Sequence, residues 1–141
     1  MNLATLIEDH PADRPALISG GDVTTYGELR DQVAEVRGAL VARDIGPGDR
    51  VAILAGNTPH FVTAYLAVLG AGAIAVPLNP ESPAAELHRE LAVVEASLAL
   101  VEPGGHAPAE VLQAAVPATV PVTDLLAGEP VPLVERSPGD V

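Results

Sequence analysis

The side chains of this chain that could do acid–base or ligand chemistry are four histidines, nineteen acids and seven basic residues. Their spacing decides what they can do. His60 and His88 fall on stretches expected to be helical. Neither has a second histidine or an acid at the spacing of H-E-x-x-H, which would put two metal ligands on one helix face. Glu86 and Glu90 stand two residues either side of His88, which turns them to different faces, so a solvated charged face is expected there. No G-x-S-x-G elbow carries a nucleophilic serine, and no acid has an apolar sequence setting that singles it out for proton transfer. Gly70-Ala71-Gly72-Ala73-Ile74-Ala75 fits G-x-G-x-x-A, the dinucleotide fingerprint. That loop must leave a strand and open a helix whose N-terminus faces a pyrophosphate. Here it leaves a helical stretch and enters a strand-like one, so its small residues are expected to let a helix end turn closely against a sheet. Spacing assigns no catalytic, cofactor-binding or metal-binding residue.

Composition narrows the chemistry further. The 141 residues contain no cysteine, so disulfides, thiolate metal sites and cysteine nucleophiles are excluded. There is no lysine: the basic residues are Arg14, Arg30, Arg37, Arg43, Arg50, Arg89 and Arg136. A G-x-x-x-x-G-K-[ST] phosphate loop and Schiff-base catalysis both need that lysine. A formal charge of −12 repels phosphate backbones, so no nucleic-acid partner is expected. With 48% hydrophobic residues the chain is too apolar to be disordered as a whole. Val51 to Pro80 carries no formal charge, and length alone would admit a membrane span. Gly56-Asn57-Thr58-Pro59 and Gly70-Ala71-Gly72 break that run, so buried core and no integral membrane span are expected. Glu8 and Asp9 near the start, without a basic cluster, argue against a signal peptide and for a cytoplasmic protein.

The elements that would position any site alternate along the chain. Leu3, Leu6 and Ile7 suggest a short helix ended by Pro11. Ala16–Ile18 and Val23–Thr25 flank Ser19-Gly20-Gly21-Asp22 as a β-hairpin. Thr25 and Glu28 form a capping box before a helix whose Leu29, Val33, Val36 and Leu40 make one apolar stripe. Arg30, Asp31, Glu35 and Arg37 are left for water, and Gly46-Pro47 is expected to stop the helix. Val51–Ala55 is a continuous apolar strand. Asn57 or Thr58 can cap the next helix, with Pro59 at its first position and Phe61, Val62, Tyr65, Leu66 and Leu69 along it. Ala73–Leu78 returns as a strand, and Ser82-Pro83 opens a helix with Leu87, Leu91 and Val94 inward. Leu98–Val101 is a strand, Pro103-Gly104-Gly105 a turn, Pro108–Ala115 a helix and Thr119–Val122 a last short strand.

This order implies an α/β fold, a mainly parallel sheet with helices on both faces and an attached N-terminal hairpin. Residues 1–128 form the α/β unit, and 129–141 read as a Pro-rich tail. The expected core is Leu29, Val33, Val36, Val51, Ile53, Phe61, Leu66, Leu69, Ile74, Val76, Leu91, Leu98 and Leu100.

Several segments together resemble the adenylate-forming enzymes, among them acyl-CoA synthetases, aryl-CoA ligases and luciferases. Thr25-Tyr26-Gly27-Glu28-Leu29 resembles their T-Y-x-E-L signature. Gly46-Pro47-Gly48-Asp49-Arg50-Val51-Ala52-Ile53 resembles their G-x-G-D-R-V-A strand entry. Asn57-Thr58-Pro59, Phe61 and the run Leu69 to Pro80 resemble the following helix and the A-G-A-x-x-V-P-L-N-P segment. Glu86-Leu87 and Ser97–Val101 occupy the place of the next helix–strand step. Asn79 is more like acyl-CoA or acyl-AMP ligases than amino-acid-activating domains, which more often have Asp there.

The resemblance implies the N-terminal subdomain of a longer fatty-acyl-CoA or other acyl-CoA ligase. Such an enzyme joins a carboxylic acid to AMP, then to CoA, with ATP and Mg²⁺ as further requirements. In such enzymes the phosphate loop begins shortly after the equivalent of Ser137–Val141. The adenine-binding segments, the Mg²⁺-binding Glu, the interdomain hinge and the C-terminal-domain Lys lie further on. The resemblance therefore carries no catalytic, cofactor or metal residue onto this chain, and the chain alone is expected to be inactive. The remainder of the enzyme is the implied partner, docking on an exposed apolar surface; a homodimer is another way to cover it. The other class to weigh is a self-standing, non-enzymatic α/β binding module on the same scaffold.

Overall fold

The computed structural model describes residues 2–102 and 109–126. A 3-10 helix, Leu3–Ile7, precedes β1 (Pro15–Ser19) and β2 (Asp22–Thr25). Then come α1 (Tyr26–Ala42), β3 (Arg50–Leu54), α2 (Pro59–Gly70), β4 (Ile74–Pro77), α3 (Ala84–Val94), β5 (Leu98–Val101), α4 (Ala109–Ala115) and β6 (Thr119–Pro121). A second 3-10 helix, Val122–Leu125, follows. The first two strands pair antiparallel as the expected hairpin, with Gly20 and Gly21 both at positive φ in a two-residue turn. The other four form one parallel sheet in the order β4-β3-β5-β6. This is the α/β architecture expected from the alternation of elements.

Side-chain alternation along the strands separates two cores. Val51, Ile53, Leu98 and Leu100 face the layer of α1, α2 and the two 3-10 helices. Ala52, Leu54 and Ala99 face Leu87 and Leu91 of α3 and Leu112 of α4. The uninterrupted apolar run of β3 is thus explained by burial on both faces.

Each helix end has a local cause. The capping box forms as expected: Glu28 N–H donates to Thr25 Oγ1 (3.2 Å), and Thr25 N–H donates to Glu28 Oε1 (3.2 Å). The other end of α1 departs from the Gly46-Pro47 expectation. Asp44 takes the left-handed conformation at φ 62°, and the N–H groups of Asp44 and Ile45 return to the carbonyls of Val41 and Leu40. A Schellman stop built on Asp44 therefore ends the helix at Ala42. Gly46-Pro47-Gly48-Asp49 instead makes a separate turn at the start of β3. There Asp49 Oδ2 accepts from Gly46 N–H (2.8 Å), and the Asp49 carbonyl accepts from Ile74 N–H (2.8 Å).

Burial corrects several sequence expectations. Arg30 and Arg37 do not lie on the water side of α1. Arg37 is buried, and Arg30 is half-buried, donating to the carbonyls of Ile7 (3.0 Å) and His10 (2.7 Å) and so capping the first 3-10 helix. Phe61, Leu66 and Leu69 are half-buried; α2 presents Thr63, Ala64, Ala67 and Val68 to the core instead. Ile74 and Val76 are half-buried because β4 is an edge strand, and Val94 is half-buried at the end of α3. The other eight expected core residues are buried. Val122 belongs to a 3-10 helix rather than to β6. Pro103-Gly104-Gly105 and the 129–141 tail lie outside the described residues. Among the described residues no helix is long and apolar enough to cross a membrane.

Candidate functional site at the carboxyl edge of the sheet

The chain leaves β3 through α2 toward β4, on one side and one face, and leaves β5 through α4 toward β6, on the other side and the other face. Adjacent parallel strands whose connections diverge open a crevice at their carboxyl ends, the usual ligand position in open α/β sheets. In this chain that crevice lies between β3 and β5. It has a volume of about 600 Å³ and is lined by Ala55, Gly56, Asn57 and Thr58 after β3, Asn79, Pro80 and Glu81 after β4, and Glu102 after β5.

Glu102 ties these loops together. Its Oε2 accepts from Thr58 Oγ1 at 2.8 Å, and its Oε1 lies 2.6 Å from His60 Nδ1. A carboxylate only accepts, so the proton of this contact belongs to His60 Nδ1 while Glu102 is ionised. Thr58 sits at the N-cap of α2 but makes no side-chain cap, since its hydroxyl is committed to Glu102. Pro59 follows at the first helical position, as expected from its missing N–H. Asn79 Oδ1 accepts from Glu81 N–H (2.9 Å), which fixes the turn after β4. A second groove of about 240 Å³ adjoins this one across Asn57 and Thr58, with Leu17 and Ile18 of the hairpin and Phe61 of α2 in its walls.

Sequence spacing did not single out Thr58, His60 and Glu102 as a group, because Glu102 is 42 residues from His60. The available signal was topological: both groups follow the carboxyl ends of strands readable from sequence. His88 and Glu86 are exposed on α3, as expected, while Glu90 is half-buried. Among the described residues no group of three or more His, Asp or Glu could hold a metal ion.

The G-x-G-x-x-A segment runs in the direction expected, from helix to strand. Gly72 at φ 82° is the turning residue of a second Schellman stop, with Gly72 N–H to the Leu69 carbonyl (2.9 Å) and Ala73 N–H to the Val68 carbonyl (3.2 Å). Its glycines stand at the stop of α2. Both this turn and the Asp49 turn stand at the amino ends of β4 and β3, across the sheet from the crevice.

Residues 3–139 match the AMP-binding enzyme family. The chain is similar to a 3-hydroxybenzoate–CoA ligase of Aromatoleum sp. (strain CIB), 41% identical over 68 residues, covering 48% of this chain and 13% of that protein. Its fold is similar to part of the anthranilate CoA ligase AuaEII in complex with anthranoyl-AMP, with a TM-score of 0.88 at 20% identity over 99% of this chain and 30% of the other. ATP-bound MatB from Rhodopseudomonas palustris superposes with a TM-score of 0.80 at 27% identity, over 99% of this chain and 31% of MatB. The chain thus spans less than a third of the length of each of these relatives. On the match along nearly its whole length, carried by the fold that its signature segments build, the chain belongs to the AMP-binding enzyme family.

Proposed function

We propose that the chain is the N-terminal portion of an ATP-dependent acid–thiol ligase, which forms an acyl-adenylate with loss of pyrophosphate and then a CoA thioester with loss of AMP. The observation that carries this reading is the family match over residues 3–139. Two of the relatives named above are CoA ligases of 3-hydroxybenzoate and anthranilate, which supports an aromatic acid ahead of the fatty acid expected from sequence. A cytoplasmic location accompanies this reading.

The described residues are not equipped for adenylation. Lysine is absent, the net charge is −12, and among the described residues no group of three or more His, Asp or Glu could hold Mg²⁺. Charge neutralisation and positioning at three phosphates must come from chain beyond this portion. Leu3, Leu6, Ile18 and Val23 are exposed large apolar side chains. They support a surface covered by the remainder of the enzyme, in keeping with a chain that spans 30% of a solved CoA ligase.

Two measurements test the reading. Calorimetry of the 141-residue chain with Mg·ATP is expected to show no binding tighter than about millimolar. A protein extended through the downstream reading frame is expected to release pyrophosphate with 3-hydroxybenzoate faster than with a long-chain fatty acid. A stop codon directly after Val141, or an extended protein inactive on every acid, would instead favour the self-standing binding module.

A further inference from the structure

Helix α2 is apolar on the side turned away from the sheet as well as on the side that meets it. Ala64, Ala67 and Val68 are buried in the core, and Val62, Leu66 and Leu69, spaced by four and three, stand half-buried on the opposite side of the helix. This outer stripe continues past both ends of α2. At its start, Val62 and Ile18 line one groove between the helix and the hairpin, and Ile18 is 73% exposed. At its end, the Leu69 carbonyl accepts from the Asn2 side-chain amide, which brings the first 3-10 helix alongside with Leu3 and Leu6 more than half exposed. Contiguous apolar surface of this kind marks an interaction site, whereas scattered exposed residues do not.

Charge selects what can cover it. The first 3-10 helix, β1 and α2 contain no Asp, Glu, Lys or Arg, whereas α1, α3 and α4 carry Glu28, Glu86 and Glu110 among their charges. A partner chosen for positive charge finds no acid on the stripe. A second copy, at −12 like the first, is repelled wherever acids would face acids. The stripe lets two copies touch without opposing carboxylates, and Glu8 and Asp22 fall only at its rim, exposed to water and salt. The 12 residues of α2 span about 18 Å. The hairpin and the 3-10 helix extend the face at either end, toward the roughly 800 Å² per partner of a standard interface.

We propose that the 141-residue chain closes this face with a second copy of itself, α2 against α2 about a two-fold axis. Such an interface uses the same patch twice. Leu66, in the middle of the stripe, meets its own counterpart near the axis, and Leu3 and Leu6 of one copy reach toward Ile18 of the other. The proposal goes beyond the ligase reading and uses no adenylation, so it can fail while that reading stands.

Sedimentation equilibrium of the 141-residue chain tests it. A concentration-dependent dimer is expected, half-formed below about 100 μM, and tightened rather than loosened by about 1 M NaCl, which screens the acidic rims. A monomer throughout that range overturns the proposal and leaves the face to the remainder of the enzyme; growth past the dimer, or dissociation by salt, overturns it too. Leu66→Glu should raise the dissociation constant at least about tenfold, and so should Leu6→Asp, whose 60% exposed side chain can change without touching the core. Val93→Glu, 82% exposed on α3 across the sheet from α2, should leave it unchanged. Because the chain has no cysteine, single exchanges also report contact directly. Mild oxidation of Leu66→Cys should give a disulfide-linked dimer, and of Val93→Cys should not. Equal cross-linking at both positions, or a dimer that survives Leu66→Glu and Leu6→Asp, places the contact elsewhere and overturns the proposal.

Discussion

Thr25 closes the first turn of α1 from both directions, and its hydroxyl also donates to Glu28 Oε1 at 3.0 Å. Losing such a cap leaves N–H groups of the first turn to water alone. Thr25→Ala is expected to lower stability by about 1 kcal/mol, read as a lower urea midpoint at unchanged slope. Arg37, on the same helix, shows a different balance. Burial holds its guanidinium below the ordinary arginine value, and the Glu8 charge opposes that shift only in part. A base whose folded value is lowered destabilises the fold while it is charged in both states, and stability rises only as pH climbs through that lowered value. That window lies in the alkaline range, so Arg37 contributes no pH dependence near neutrality. At the crevice, Glu102 illustrates why single residues resist reading from sequence: its partners, Thr58 and His60 at the start of α2, are 44 and 42 residues away.

Helices of this protein are separated by how many faces they bury. Leu91 of α3 is fully buried against the second core, whereas Leu69 of α2 is half-buried and its carbonyl accepts from the Asn2 side-chain amide at 2.6 Å. Leu91→Ala is therefore expected to cost ~2–5 kcal/mol and Leu69→Ala clearly less, by denaturant titration of both variants. The sequence made Leu69 look central because α2 is apolar on most sides, so periodicity could not say which side meets the sheet. The structure resolves this with Ala64, Ala67 and Val68, whose small size lets α2 lie close to β3. In contrast α1 has a single apolar stripe, and Leu29, Val33, Val36 and Leu40 were legible at once. Element order, the hairpin and the helix-to-strand direction of Gly70-Ala71-Gly72 were legible for the same reason: each has a local signal. The helix stop at Asp44 was not, because a non-glycine residue took the left-handed position ahead of a glycine two residues later.

Across the whole molecule, the sheet divides its labour between its two ends. The amino edge holds the family's most recognisable turns, Gly46-Pro47-Gly48-Asp49 and Gly70-Ala71-Gly72, and there their work is structural: Asp49 alone engages Gly46, Ile74 and Ser97. The carboxyl edge holds the crevice. Signature residues thus testify to the scaffold.

The order β4-β3-β5-β6 also has a kinetic meaning. Val51 pairs with Ala75 on one side and with Leu98 on the other, so β3 can find its first neighbour across α2 alone and its second only across α2, β4 and α3. On a ribosome the β3–α2–β4 unit is complete before Leu98 has been made, and the inner edge of β3 must wait unpaired while the intervening helix is synthesised. Folding is thus expected to start in that unit, and Val76→Ala should slow refolding more, relative to its effect on stability, than Leu100→Ala. Until β5 arrives, the strand that ends as the best-protected part of the protein is its most exposed pairing edge.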